Sequence, residues 1–495
     1  MAKKKKKNAV TLVSLLLVLV VLIGVYVWYG HRAAQTDDSS DDTENISLAT
    51  FDTTEATAVD YTGPNADINL TLEDGVWKSD TQPDRPINQD NVNSILNVMS
   101  SIEATKTVVE NPEDLSQYGL SEPATVVLVT LQDGSTVKLS VGDELANADG
   151  YYAMVNDATT VYVVNTNYSF NYKDLDFTAV EEAPSITAAN ITYISIDNRD
   201  SDDVELKYQE SATLDNSGTN TYTWRILKPY GEGYSADSTT ISDIQSNYTS
   251  FDFLDCVDYT GENMSSYGLD NPSAIIDIGY YEESAAPTSE ASDGTSTEAE
   301  TIRTDKEYKL YIGNKNDDGD YYVKSDDSDM VYTLSSSTVE TMLNVDVFSL
   351  LNPYVNIPNI DTVDKVTADI AGKEYTMAIT RTTSKDEDGN ETTEAAYSYN
   401  GSTAEETTFK SVYQKLISPT YDAQLKDEVD TSALDAVVTI SFHITGDNEG
   451  TVKTTFYPYN KSFYIVDKGT GIYFLTDKRT VDEMVTAIST FTVEE

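Results

Sequence analysis

The chain has 495 residues, with 84 Asp plus Glu against 32 Lys plus Arg and a formal net charge of −52. So acidic a surface repels phosphate backbones and excludes nucleic-acid binding. One cysteine, Cys256, and two histidines, His31 and His443, exclude internal disulfides, thiolate metal clusters and a multi-histidine metal centre. Hydrophobic residues at 39% and 34 tyrosines supply material for cores, and the length fits about two to four domains.

The N-terminus reads as a membrane anchor. Lys3 to Lys7 form a basic tail (1–8), followed by Ala9 to Tyr29, 21 residues without a charged side chain. A helix at 1.5 Å per residue over about 9–30 spans the roughly 30 Å hydrocarbon core, with Trp28 and Tyr29 at the interface. The apolar run is longer than a signal-peptide core, and no small-x-small cleavage site follows it. The lysines stay in the cytoplasm by the positive-inside rule, placing the C-terminal bulk outside the plasma membrane. Beyond residue 32 there are 84 acidic and 26 basic residues, so the negative charge is extracytoplasmic. Residues 31–60, with Asp37-Asp38-Ser39-Ser40-Asp41-Asp42, read as a flexible acidic stalk.

The body repeats itself. Tyr118-Gly119-Leu120-x-x-Pro123 returns 149 residues later as Tyr267-Gly268-Leu269-x-x-Pro272, and Lys138-Leu139-x-Val141-Gly142 as Lys309-Leu310-x-Ile312-Gly313. Tyr151-Tyr152 and Tyr321-Tyr322 follow, then Val161-Tyr162 and Val331-Tyr332; upstream, Trp77 matches Trp224. Pro123 and Gly142 are 19 apart but Pro272 and Gly313 are 41, so the second copy carries an extra segment, about 282–301, expected to be disordered. The first copy has the hairpin signal Asp133-Gly134 there. Ala436–Ile440, Gly450–Lys453, Phe463–Val466 and Gly471–Phe474 outline a degenerate third copy without the turn motif or the tryptophan.

Each copy has one helix. Val92, Ile95, Leu96, Met99 and Ile102 make an apolar stripe in the first; Ile241, Ile244, Tyr248 and Phe251 in the second; Phe409, Val412, Tyr413, Leu416 and Ile417 in the third. In the third, Thr403-x-x-Glu406 is a candidate capping box and Pro419 the stop. Four short strands follow each helix. The fold class is α+β: tandem antiparallel sheets with helices on one face, as repeats 61–185, 186–355 and 356–495.

A tryptophan, a helix, Tyr-Gly-Leu-x-x-Pro, Lys-Leu-x-[Val/Ile]-Gly and paired tyrosines together resemble the bacterial family known as domain of unknown function 4340. The resemblance implies a single-pass protein with extracytoplasmic repeats. Genes of such members often lie beside a gliding-motility-type ABC transporter, which implies its permease and ATPase as partners. It implies no catalytic residues and no cofactor.

The residues themselves offer little chemistry. Ser135-x-x-Lys138 has the spacing of a penicillin-recognising motif, yet on a strand its two side chains point to opposite faces. His443 lies in a strand pattern, and Cys256 sits among Phe251, Phe253 and Leu254 as a small buried hydrophobe. Asn314–Gly319 and Asp386–Gly389 resemble half EF-hand loops, but position 12 falls on Ser325 and Ala395, so they read as acidic turns. Weak divalent-cation association with the surface is expected. Trp77 and Trp224 could stack on sugars, although recurrence at one unit position fits packing. The expected function is a non-catalytic binding or scaffold protein beside a transporter. The alternatives are a cell-surface enzyme or carbohydrate-binding protein acting on envelope polysaccharide, and an adhesin or spacer.

Overall fold

The computed structural model describes residues 45–492 apart from 157, 222, 286–300, 386–390 and 428. The expected basic tail, transmembrane helix and first part of the stalk lie outside the described residues. Among the described residues no helix is long and apolar enough to cross a membrane. The chain divides into two compact units, one ending at Thr178 and one beginning at Ala179.

The first unit contains β1 (Ile46–Thr50), β2 (Ala56–Thr62), β3 (Asp67–Glu73), β4 (Val76–Ser79), α1 (Gln89–Met99), β5 (Ser101–Val109), β6 (Thr125–Leu131), β7 (Thr136–Glu144), β8 (Tyr151–Val155) and β9 (Val161–Val164). They form one antiparallel sheet in the order β4-β3-β2-β6-β7-β8-β9-β5-β1. Helix α1 starts at Asn88, whose side chain accepts the Asn91 N–H, and buries Val92, Ile95, Leu96 and Met99 against the sheet core of Val59, Leu70, Val127 and Leu139. At 11 residues it depends on that burial, worth about 1.5–3 kcal/mol per large side chain, rather than on propensity.

The second unit opens with β10 (Ile191–Asn198), β11 (Val204–Tyr208), the short hairpin β12 (Thr213–Leu214) and β13 (Asn220–Thr221), β14 (Trp224–Lys228), α2 (Ser238–Ser246), β15 (Cys256–Asp258), α3 (Met264–Tyr267), β16 (Ala274–Ala285), β17 (Thr301–Lys315), β18 (Tyr321–Ser325), β19 (Val331–Leu334), α4 (Ser336–Leu343) and α5 (Val347–Leu350). It continues with β20 (Val363–Ile370), β21 (Lys373–Lys385), β22 (Glu391–Tyr399), β23 (Ser402–Ala404), α6 (Glu406–Leu416), β24 (Ala423–Leu425), β25 (Val438–Ile444), β26 (Gly450–Pro458), β27 (Phe463–Asp467), β28 (Tyr473–Asp477) and α7 (Lys478–Ser489). Its two large sheets run β14-β11-β10-β16-β17-β18-β19-β15 and β23-β22-β21-β20-β25-β26-β27-β28-β24.

All three sheets share one plan. Three or four strands precede the helix, the strand after it crosses to the far side of the sheet (where β1 lies outside β5 in the first), and four hairpin-linked strands fill the gap between. The degenerate third copy is therefore a full repeat in topology. Repeats two and three share a continuous core. The Phe474 ring, on β28, is surrounded by Tyr234 (5.5 Å), Tyr230 (5.3 Å), Phe348 (6.2 Å) and Tyr421 (4.6 Å).

Several expectations change. The stalk does not run to residue 60, because β1 pairs with β5 and β2 is an interior strand between β3 and β6, with Val59 and Tyr61 fully buried. The strands before each helix are additional to those read from sequence, and so is the strand that follows it. The ends of the 282–301 segment are ordered: β16 and β17 stay in register to Ala285 and Thr301. Residues 286–300 lie outside the described ones. Ile102 belongs to β5, and Tyr248 and Phe251 follow α2, all buried beyond the helices they seemed to extend. The capping box does not form, since Thr403 is in β23 and the Glu405 side chain caps α6 by accepting the Thr408 N–H at 2.9 Å.

Gly142 and Gly313 lie where an added Cβ would overlap the carbonyl oxygens of Tyr118 and Tyr267. Gly142→Ala and Gly313→Ala should each lower stability by about 1–3 kcal/mol through overpacking. Thermal unfolding of the full chain measures the loss. Limited proteolysis should show faster cleavage within residues 45–178 for the first variant and within 179–492 for the second.

Candidate functional site

The motif residues gather in space and are spent on packing. Residues 116–118 make a short 3-10 turn, Gly119 takes a left-handed φ of 68°, and Leu120 is buried. The turn lays the Tyr118 carbonyl against Gly142 of β7, and the Tyr118 ring meets Tyr152 edge-on at 5.1 Å. In the second repeat Gly268 (φ 74°), buried Leu269, Gly313 and the Tyr267–Tyr322 pair at 4.8 Å reproduce the arrangement. Pro123 and Pro272 stand two residues before β6 and β16, where a missing N–H costs no ladder bond. Trp77, on β4, is buried, with its backbone clamped by Gln89, which accepts its N–H (2.8 Å) and donates to its carbonyl (3.0 Å). Trp224, on β14, is 7% exposed and packs on Tyr208 at 6.0 Å.

The other candidates fall as their patterns implied. Lys138 is in β7 while Ser135 is in the preceding turn. His443 is a half-buried β25 residue whose Nδ1 faces the Thr451 hydroxyl at 3.2 Å. Cys256 is 2% exposed within the core. Asn316 accepts the N–H groups of Asp318 and Asp320, which makes 314–319 a hairpin turn. The Asp386–Gly389 segment lies outside the described residues.

Two charged constellations have no signal in the sequence motifs. On the sheet of repeat two, Asp277 (β16) faces Lys309 (β17), whose ammonium lies 3.5 Å from Asp277 Oδ2 and also pairs with Glu307. Asp277 Oδ1 is enclosed without a hydrogen-bond partner. Burial, helped by the Glu307 charge, pushes the Asp277 carboxyl above its ordinary range, while bonding to Lys309 holds Glu307 below its own. The equivalent lysines face Leu128 and Ser441 instead. The recurring lysine was legible; the acid across the ladder was not, since register is a long-range property.

The second constellation joins repeats two and three. The Asp215 side chain has no exposure and accepts from Ser217 (N–H 2.9 Å, hydroxyl 2.7 Å), Thr219 (2.9 and 2.7 Å), the Ser235 hydroxyl and Arg225 (3.2 Å). Arg225 also donates to the Thr213 carbonyl at 2.7 Å. Lys468, on the turn after β27, reaches into this cluster and donates to the Asn216 carbonyl (2.6 Å) and Asn356 Oδ1 (2.7 Å). Burial pushes its ammonium down to about 7, opposed by the charge of Asp215. Asp-Asn-Ser-Gly at 215–218 carries a turn signal, but nothing local announces Arg225 or Lys468 as its partners.

A groove of about 640 Å³ opens beside Trp224, lined by Tyr208, Glu210, Gln245, Tyr281 and Arg303. The Arg303 guanidinium lies 4.1 Å over the Tyr281 ring and pairs with Glu210 at 2.8 Å.

The profile of the family described as domain of unknown function (DUF4340) matches residues 77–272 and again 224–436. The chain belongs to this family. Each match begins at one of the two repeat tryptophans and runs across the boundary between structural repeats. No curated protein and no solved structure matches the chain.

Asp277 gives a pH signature. Its folded-state pKa lies above the unfolded value, so the folded chain holds the extra proton and stability falls as pH rises through that window. Asp277→Asn should remove this fall and leave the full chain at least as stable near pH 7, read by urea unfolding near pH 4 and pH 7.

Proposed function

We propose that this DUF4340 protein is a membrane-anchored, extracytoplasmic, non-catalytic binding or scaffold subunit, accessory to an ABC-type transporter. The observation that carries the reading is the use of the repeat motif. Tyr118, Gly119, Leu120 and Gly142, with their counterparts Tyr267, Gly268, Leu269 and Gly313, lock a turn onto a strand instead of lining a cleft. What recurs is a rigid module, which suits presentation of surfaces to a partner. The basic tail and uncharged run of the N-terminus support attachment to the bilayer with the acidic body outside. The family's gene neighbourhoods supply the transporter as partner by association.

The groove beside Trp224 favours a second reading, carbohydrate binding. Its aromatic walls and the Glu210–Arg303 pair are the side chains that stack on sugar faces and bond hydroxyls.

Cross-linking in native membranes, then purification of the tagged full-length chain, should recover a multi-span permease and an ATPase. Recovery of the chain alone, or with wall polymer, overturns the accessory reading and favours the second.

A further inference from the structure

The junction of repeats two and three is short of an acceptor. Asn356 has no solvent exposure, and its Oδ1 accepts from the Lys468 ammonium and from the Thr454 hydroxyl at 2.8 Å. An ammonium only donates, so the amide oxygen has to face it, and the orientation of the amide is fixed. That leaves Asn356 Nδ2 buried with no partner. Asn216 Nδ2, also buried, lies against Gly233 and faces the Tyr234 hydroxyl. Lys468 has three N–H groups and spends two of them, on Asn216 and Asn356.

The charges are unequal too. Asp215 is one enclosed negative group against two positive ones, Arg225 and Lys468, and its oxygens are already filled by Ser217, Thr219, Ser235 and Arg225. Asp467, next along the chain, is turned to the Gly469 N–H at 2.7 Å. The other titratable groups at the junction, Tyr234 and Tyr421, have their hydroxyls pushed upward by burial and stay neutral. An uncompensated buried ammonium and unmade amide bonds each cost free energy. One small acceptor carrying a single negative charge satisfies both demands.

We propose that this junction binds one monatomic monovalent anion, chloride in ordinary media, on the ammonium of Lys468 and the amide nitrogen of Asn356. Binding restricted to the folded chain stabilises it by mass action. Such an anion also favours the charged form of Lys468, which burial alone disfavours.

The test is urea unfolding of the full chain near pH 6 in sodium chloride against sodium gluconate at constant ionic strength. Each tenfold rise in chloride above half-saturation should lower the unfolding constant about tenfold. Asn356→Asp places a carboxylate oxygen where the unpartnered nitrogen stood and keeps the bonds to Lys468 and Thr454. It should unfold with no chloride dependence and be more stable than the parent chain in gluconate. Lys468→Met should also lose the dependence, and bromide-soaked crystals should give an anomalous peak beside Lys468. Equal unfolding of the parent chain in both salts overturns the proposal and leaves a water at the site. A chloride effect that persists in Asn356→Asp overturns it by placing the anion elsewhere.

Discussion

A carboxylate with no access to solvent must be met by donors on every side, and Asp215 imposes that demand on the larger unit. The Ser217 and Thr219 donors come from its own hairpin, Arg225 from the neighbouring strand and Ser235 from the approach to α2. Meeting it closes the β12–β13 hairpin, whose outward carbonyls then serve repeat three. The Ser217 carbonyl accepts the Ile357 N–H at 2.7 Å, and the Asn216 carbonyl accepts Lys468. The linker between the repeats and the β27–β28 turn are thus tied to one short hairpin. Polar satisfaction of a single buried charge thus fixes how repeats two and three meet.

The three sheets reach one topology by different local means. In the first two, a turn carbonyl rests on a strand glycine, and only a residue without Cβ permits that approach. In the third, counting from Lys453 as from Lys138 and Lys309 puts Tyr457 at the glycine position. The chain there still enters β25 through a 3-10 turn, Thr431–Ala433, but Leu434 follows it in extended conformation where Gly119 follows the first. Strand order survives this exchange, so it rests on the alternating burial of the strands and on their hairpins. The turn motif is a local fastening that two of the copies retain.

Much of this plan was legible because it is local. Helical stripes, the Asp133-Gly134 hairpin and the glycine-centred turn each sit within one or two turns of chain, and the repeat spacing multiplied their signal. The α+β class followed. What escaped was set by partners far away. Strand β2 carries Ala56, Val59 and Tyr61 inward, but it follows a stretch so rich in Asp, Ser and Thr that composition masked the alternation. The α6 stripe was right while its cap was not, since Thr403 is claimed by pairing with Ser398 across β22 and β23. The charged groups escaped for the same reason: Asp277 and Lys309 are 32 positions apart, and Asn216 and Lys468 are 252. Trp77 and Trp224 were legible as repeat markers, and their burial made them core.

The join between repeats two and three combines two kinds of contact with different selectivity. Rings around Phe474 give cohesion through burial and edge-on packing, which tolerates modest sliding. Hydrogen bonds to enclosed charges do not: a shift that breaks the Lys468 or Arg225 bonds leaves a buried cation unmet, at a cost of several kcal/mol. Apolar residues of similar size would hold the repeats together as well, because desolvation offsets most of what a buried ion pair gains. What the ions add is a single register between the Asp215 hairpin and the β27–β28 turn. On the proposed reading, in which the module presents one surface to a partner, that register matters more than the total stability.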